Sequence, residues 1–280
     1  MPRFDVDGLG LHAEVGGSGP PLVLLHGFTG SADTWAGLTA DLAADYNVIA
    51  PNLVGHGRSG APKDVERYRI ARAATDLVAL VSQLGHDRAA WLGYSLGGRT
   101  ALQVVAQHPG AVEALILEGA SPGIADPEER AARVRSDEAM ANRIERDGVE
   151  AFIDTWEQVP LFATQLGLPS ETRAAIRATR TANTATGLAN SLRGMGAGAQ
   201  DPLQDRVGAM DVPALLIAGA LDTKYVEIAR DMARTMPDAT MQTIEGAGHA
   251  AHLERPEAVR RPLLEFLRRA YPGARAAAKA

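Results

Sequence analysis

The sequence contains no cysteine. That removes disulfides, thiolate nucleophiles, thiolate zinc sites and iron–sulfur clusters, and it suits a reducing compartment, so a cytoplasmic protein is expected. Lysine is nearly missing as well: Lys63, Lys224 and Lys279 stand alone, and arginine supplies the rest of the 28 basic residues. Against 34 acidic residues the formal net charge is −6, which argues against a nucleic-acid partner held through phosphates. Long apolar runs are absent too. The longest, such as Leu22–Leu25 and Ala214–Ala218, have strand length, so no membrane span is expected. Met1 to Pro21 is interrupted by Asp5, Asp7, His12 and Glu14, so no signal-peptide core is expected there either.

What remains is ordinary globular composition, 46% hydrophobic and 22% charged over 280 residues. A chain of this length buries roughly three quarters of its unfolded surface, enough for a core without staples. Short β-rich runs alternate with helical patterns, the signature of a mainly parallel sheet covered on both faces. Strands are readable at Leu22–Leu25, Tyr46–Ala50, Ala89–Tyr94, Val112–Leu117, Ala214–Ala218 and Thr240–Ile244, with a further pair near Phe4 and Leu11–Val15. An eight-stranded, mostly parallel α/β sheet is therefore expected. Between them, Ile70, Ala73, Ala74, Leu77, Val78, Val81 and Leu84 keep helical spacing.

The rhythm breaks once. From Pro122 to about Met210 no strand is readable, and helical patterns cover Glu128–Glu145, Val149–Trp156 and Glu171–Leu192. This predicts a core domain of residues 1–121 and 211–280, with a helical cap at 122–210 over the strand ends. The tail after Tyr271 is expected to fray.

Gly93-Tyr94-Ser95-Leu96-Gly97 falls between a predicted strand and a predicted helix at Arg99–Gln107. Two glycines there clear a sharp turn that lifts a serine hydroxyl above the sheet; the alternative is a serine capping the helix, and the strand–turn–helix placement favours the nucleophile. A nucleophile of this kind needs a later acid and then a histidine at strand ends. Asp222 and His249 supply both, in Leu221-Asp222 and Gly248-His249. Asp222 could instead cap the helix at Lys224–Met236, Glu118 is a rival acid, and His252 a rival base within an apparent turn at Ala251–Glu254. His249, His252 and Glu254 make only a weak metal pattern, so no metal or other cofactor is expected. His26-Gly27-Phe28 follows a strand, so the Phe28 and Leu96 amides can form an oxyanion hole, with His26 fixing the loop.

These motifs, with Gly55-His56-Gly57-Arg58-Ser59, resemble the α/β-hydrolase superfamily. The serine at the elbow disfavours the branches whose nucleophile is an aspartate. Gly93–Arg99, Leu117–Gly123 and Gly246–Glu254 further resemble the 2-succinyl-6-hydroxy-2,4-cyclohexadiene-1-carboxylate synthases of menaquinone biosynthesis, over about Pro20 to Leu267. The resemblance implies a lyase that expels pyruvate from 2-succinyl-5-enolpyruvyl-6-hydroxy-3-cyclohexene-1-carboxylate. It also implies that Arg99, Arg133 and Arg180 grip substrate carboxylates, beside Tyr94 and Trp156. Taken alone, Arg133 among Glu128, Glu129, Arg130 and Arg135 reads as a solvated helix face, and Trp156 as a core stripe with Phe152 and Val149. Asn52 and Gln204 depart from the family pattern, where aspartate and tryptophan are usual. The rival readings are a serine carboxylesterase of small esters using the same triad, and a non-catalytic scaffold. The partner expected is a small anionic multi-carboxylate substrate; the sequence leaves the oligomeric state open.

Overall fold

The computed structural model describes residues 3–270, so the tail after Tyr271 lies outside the described residues. Eight strands form one sheet in the order β1-β2-β4-β3-β5-β6-β7-β8. They are β1 (Arg3–Val6), β2 (Leu9–Gly16), β3 (Pro21–Leu25), β4 (Asn47–Pro51), β5 (Ala89–Tyr94), β6 (Val112–Glu118), β7 (Ala214–Gly219) and β8 (Ala239–Ile244). Pairings β1/β2 and β2/β4 are antiparallel, and every other pairing is parallel. The central strands are covered on both faces, which is why β5 and β7 read as unbroken apolar runs. At the edge, β8 has only one buried residue, and its sequence mixes Thr and Gln with Met and Ile.

Successive residues of the central strands feed two separate cores. Val23, Leu25, Trp91, Leu115 and Leu117 point to one face. They meet α2 (Ile70–Gln83), α3 (Leu96–Gln107) and α9 (Thr223–Thr235). Leu22, Leu24, Ala90, Leu92 and Ile116 point to the other, against α1 (Ala36–Leu42) and α11 (Pro256–Ala270). In α11 the buried residues Val259, Leu263, Phe266 and Leu267 keep helical spacing and form one apolar stripe. Among the described residues no helix is long and apolar enough to cross a membrane.

Only helices occur between β6 and β7: α4 (Pro127–Asp147), α5 (Val149–Trp156), a 3₁₀ segment (Pro160–Gly167), α6 (Ser170–Thr181), α7 (Ala185–Met195) and α8 (Gln204–Val207). Ala141, Ile144, Phe152, Ile153, Leu188 and Leu192 give this segment its own small core. The pattern expected to run from Glu171 to Leu192 is broken after Thr181, because the Thr184 hydroxyl accepts from the Gly187 N–H at 3.1 Å and starts a new helix. The two ends of the excursion are tied together. Leu203 N–H donates to the Pro122 carbonyl at 2.7 Å, and the Gln204 side-chain amide donates to the Gly123 carbonyl at 2.9 Å.

The sheet places two loops side by side. From β3 the chain pairs with β4 on one side and then crosses to β5 on the other, so a crevice opens beyond the carboxyl ends of β3 and β5.

Candidate active site

Ser95 sits in that crevice, between the last residue of β5 and the first of α3, with φ 52° and ψ −110°. Its N–H is held by the Glu118 carbonyl at 2.8 Å. The turn is sharp enough that a Cβ on Gly97 would lie 2.1 Å from the Leu25 carbonyl oxygen, and one on Gly93 2.3 Å from the Gly97 carbonyl oxygen. The helix begins at Leu96, three residues before the expected start, and the Ser95 side chain makes no capping bond to it. Its Oγ instead lies 3.0 Å from His249 Nε2, and His249 Nδ1 lies 2.7 Å from Asp222 Oδ2. Asp222 occupies the N-cap position of α9 without capping it, so its carboxylate is free for the imidazole. A carboxylate accepting the Nδ1 proton leaves the Nε2 lone pair directed at the serine hydroxyl.

The rival acid and rival base pair with each other. Glu118 Oε1 accepts from the His252 backbone N–H at 3.0 Å and lies 2.8 Å from its Nδ1, both side chains buried. Residues Ala251–Glu254 form a short helix, α10, rather than a plain turn, and Glu254 accepts from the Gly248 and Ala250 amides. Those two bonds hold the backbone on either side of His249.

A turn follows β3. Gly30 N–H donates to the Gly27 carbonyl at 3.0 Å, and Thr29 takes the left-handed conformation at φ 68°. A Cβ on Gly27 would come within 2.7 Å of the Tyr94 ring and 3.5 Å of Ser95 Cβ, so the turn lies against the serine. The Phe28 N–H has no partner among the described residues. Leu96 opens α3, where the first amides are unspent by the helix itself. His26 Nδ1–H donates to the Gly27 carbonyl at 2.8 Å while Nε2 accepts from the Leu53 N–H at 3.0 Å. Complete burial pushes the His26 pKa down to about 3 and that of its neighbour His56 to about 4, so both rings are neutral struts at physiological pH.

Two guanidiniums lie near this point, Arg99 half-buried and Arg180 buried. Arg99 donates to Gln200 Oε1 at 3.0 Å, and burial lowers its pKa to about 10, which still leaves it charged. Arg180 is 8% exposed, lies 3.2 Å from Glu157 Oε1, donates to Gln165 Oε1 at 3.0 Å and sits 4.9 Å over the Phe162 ring. With Tyr94, Phe28, Phe162 and His252 it lines a cleft of about 570 Å³. Arg133 is exposed, as its charged neighbours suggest. Its Nε donates at 2.8 Å to Asp137, a carboxylate 2% exposed whose pKa burial raises, and its charge reaches Arg99.

Trp156 stacks on Phe152 at 5.6 Å, as the core stripe predicts, and also meets Phe28 edge-on at 5.6 Å and Phe162 at 5.3 Å. Tyr94 lies between the rings of His249 at 5.4 Å and His252 at 4.8 Å, and burial pushes its phenol up. Two further residues join the site. The Tyr225 ring lies 4.6 Å from His249, and its phenol is pushed up by burial while Arg99, Asp222 and Arg133 act on it electrostatically. Its spacing gave a signal, since it stands three residues after Asp222 on the first turn of α9. Gln200, buried beside Arg99 between α7 and α8, has no periodicity to reveal it.

A family profile described as alpha/beta hydrolase fold matches residues 20–256. A Bacillus subtilis (strain 168) protein, provisionally named 2-succinyl-6-hydroxy-2,4-cyclohexadiene-1-carboxylate synthase, is 39% identical over 88% of this chain and 89% of its own. The protein from Enterobacter sp. (strain 638) bearing that name outright is 36% identical over 89% of this chain and 92% of its own. Among solved structures, MenH from S. aureus superposes with a TM-score of 0.88 at 31% identity, covering 93% of this chain and 98% of that one.

Proposed function

The chain belongs to the α/β-hydrolase family and, within it, to the 2-succinyl-6-hydroxy-2,4-cyclohexadiene-1-carboxylate synthases, and from that membership we propose a lyase mechanism run by Ser95, His249 and Asp222. The substrate, 2-succinyl-5-enolpyruvyl-6-hydroxy-3-cyclohexene-1-carboxylate, loses pyruvate to give the 2,4-diene. Comparing the two names fixes the electron flow. The C2 proton leaves, the ring double bond moves from C3–C4 to C2–C3, a second forms at C4–C5, and the C5–oxygen bond breaks. Enolpyruvate departs and takes a proton on carbon to become pyruvate.

Ser95 Oγ, polarised by His249 Nε2 at 3.0 Å, removes the C2 proton and passes it to the imidazole. Asp222 stabilises the imidazolium through Nδ1–H. The electron pair left at C2 spreads onto the adjacent succinyl ketone, whose oxygen the Phe28 and Leu96 amides receive. No acyl-enzyme forms. The carboxylates of substrate and leaving group fall to Arg99, Arg133 and Arg180, with Tyr94 and Trp156 as packing walls.

The observation that carries this reading is the hydrogen-bonded chain Ser95–His249–Asp222 beside two guanidiniums drawn in from solvent, Arg99 half-buried and Arg180 buried. Buried cations are costly in a site meant for neutral esters and favourable in one meant for carboxylates. The test measures pyruvate release from the enolpyruvyl substrate beside hydrolysis of nitrophenyl acetate by the same preparation. Efficient ester turnover without pyruvate release would replace the lyase by a carboxylesterase.

A further inference from the structure

One side chain, in the break between α6 and α7, reaches both the helical excursion and the catalytic crevice. Asn183 is 6% exposed, and its amide is fully engaged. Its Oδ1 accepts from the Gly57 N–H at 2.9 Å. Its Nδ2 donates to the Thr29 carbonyl at 2.8 Å and the Arg180 carbonyl at 3.0 Å, with the Thr179 carbonyl at 3.3 Å. Three segments thus converge on one amide: the turn after β3, the loop at Gly57, and the end of α6.

The turn after β3 is not conformationally self-supporting, because Thr29 carries a side chain at φ 68°; Gly57, at φ 51°, adopts its conformation without strain. Residues held in sparsely populated backbone conformations persist only where their surroundings over-determine them. The bond to Thr29 has a further reach. The Thr29 carbonyl and the Gly30 N–H share one peptide plane. That N–H holds the Gly27 carbonyl at 3.0 Å, and the Gly27 carbonyl shares its own plane with the Phe28 N–H. Asn183 therefore stands two rigid planes from the amide assigned to the oxyanion. On its other side it holds the main chain of the residue whose guanidinium faces the cleft.

We propose that Asn183 is a positioning residue that locks the Phe28 amide to the helix end bearing Arg180, fixing the distance between oxyanion donor and carboxylate grip. The inference rests on the roles given above to Phe28 and Arg180, and its first half can be read without the enolpyruvyl substrate. An uncharged alkyl fluorophosphonate serves as the probe. Ser95 Oγ bonds to phosphorus, the P–F bond breaks, fluoride leaves and His249 takes the serine proton, while the phosphoryl oxygen draws on the oxyanion donors.

The experiment uses the full chain with Asn183→Asp and Asn183→Ala, each measured well below its own melting temperature. Asp keeps the size and the acceptor for Gly57 but offers no N–H to Thr29. Removing an oxyanion donor outright costs about 10²–10³ in rate, so misaiming one should slow phosphonylation by roughly 10- to 100-fold in both variants. Pyruvate release should lose kcat by a similar factor and also gain severalfold in KM, because Arg180 shifts with its helix. A merely structural role would lower the melting temperature without that kinetic pattern. Phosphonylation within about threefold of the parent in either folded variant would overturn the proposal. So would failure of both variants to fold at any temperature, which would make Asn183 structural alone. If phosphonylation depends on Asn183 while the parent enzyme releases no pyruvate, the lyase mechanism falls and the positioning role stands.

Discussion

Replacing Arg180 by alanine separates recognition of an anion from the chemistry of the serine. In the folded chain Arg180 has two polar partners, Glu157 at 3.2 Å and Gln165 at 3.0 Å. Its removal does not strand Glu157, because Arg177 holds the other carboxylate oxygen at 3.0 Å. The stability loss is therefore that of one hydrogen bond and one redundant ion pair, about 1–2 kcal/mol, or roughly 2–8 °C in melting temperature. Recognition should suffer more. A charge-assisted hydrogen bond to a substrate carboxylate is worth about 1.5–3 kcal/mol, so kcat/KM for pyruvate release should fall by about 10- to 150-fold. Arg180→Lys keeps the charge but loses the planar fork, and should recover only part of this. Pyruvate is followed through its reduction by lactate dehydrogenase, and nitrophenyl acetate hydrolysis is measured in parallel. The small neutral ester makes no such contact and should lose little. Equal losses on both substrates would mean damage to the crevice itself, and no loss on the anionic one would refute the grip.

Ser95→Ala and Asp222→Asn should each lower pyruvate release by on the order of 10⁴-fold, since the three groups act as a unit. Glu118→Gln, by contrast, should act first on stability, through the buried pair with His252; a larger kinetic loss from Glu118→Gln than from Asp222→Asn would reverse the choice of acid. Gly97→Ala drives a Cβ to 2.1 Å from the Leu25 backbone oxygen, so a soluble, active variant would contradict the elbow geometry. Stability should also fall on acidification. His26 and His56 stay neutral in the fold down to about 3 and about 4, whereas in the unfolded chain they protonate near 6.5. Between these values the unfolded state binds more protons, so stability is full above about 6.5 and declines toward the folded values, by up to about 1.4 kcal/mol per pH unit for each ring. Asp76 and Asp137, whose carboxyls burial pushes up, act in the opposite sense, and over the carboxylate range. Urea titrations at pH 7.5 and 5 that gave one midpoint would exclude the buried neutral imidazoles.

Local rules made part of this molecule readable and left the rest silent. Ser95, Asp222 and His249 each follow a strand and lie beside glycine or a short polar turn, so chain order alone brings them to one end of a parallel sheet. The half-exposed edge strand β8 was legible because Thr240–Ile244 still has β-rich composition. The break at residues 182–184 was not, because apolar spacing continues across it and neither glycine nor proline marks it. Asn183 is therefore invisible in the sequence, although it carries more cross-segment bonds than its neighbours. Arg133 shows the opposite difficulty. Its surroundings in sequence are those of a solvated helix, and it is indeed exposed; what they do not reveal is its bond to Asp137, a buried carboxylate one turn on.

The tie between Pro122–Gly123 and Leu203–Gln204 gives the helical excursion a modular character. A segment whose two ends are a hydrogen bond apart can be lengthened, shortened or exchanged while the strands beneath keep their register. The β6-to-β7 crossover is then completed by α8 and the few residues before Ala214, whatever the excursion contains. Evolution, or a grafting experiment at positions 124 and 202, can thus alter what is admitted to the serine without rebuilding the serine. Asn183 marks the limit of that freedom. A foreign segment that fails to return an amide to Thr29 and Gly57 would inherit the sheet but not the aim of its oxyanion turn.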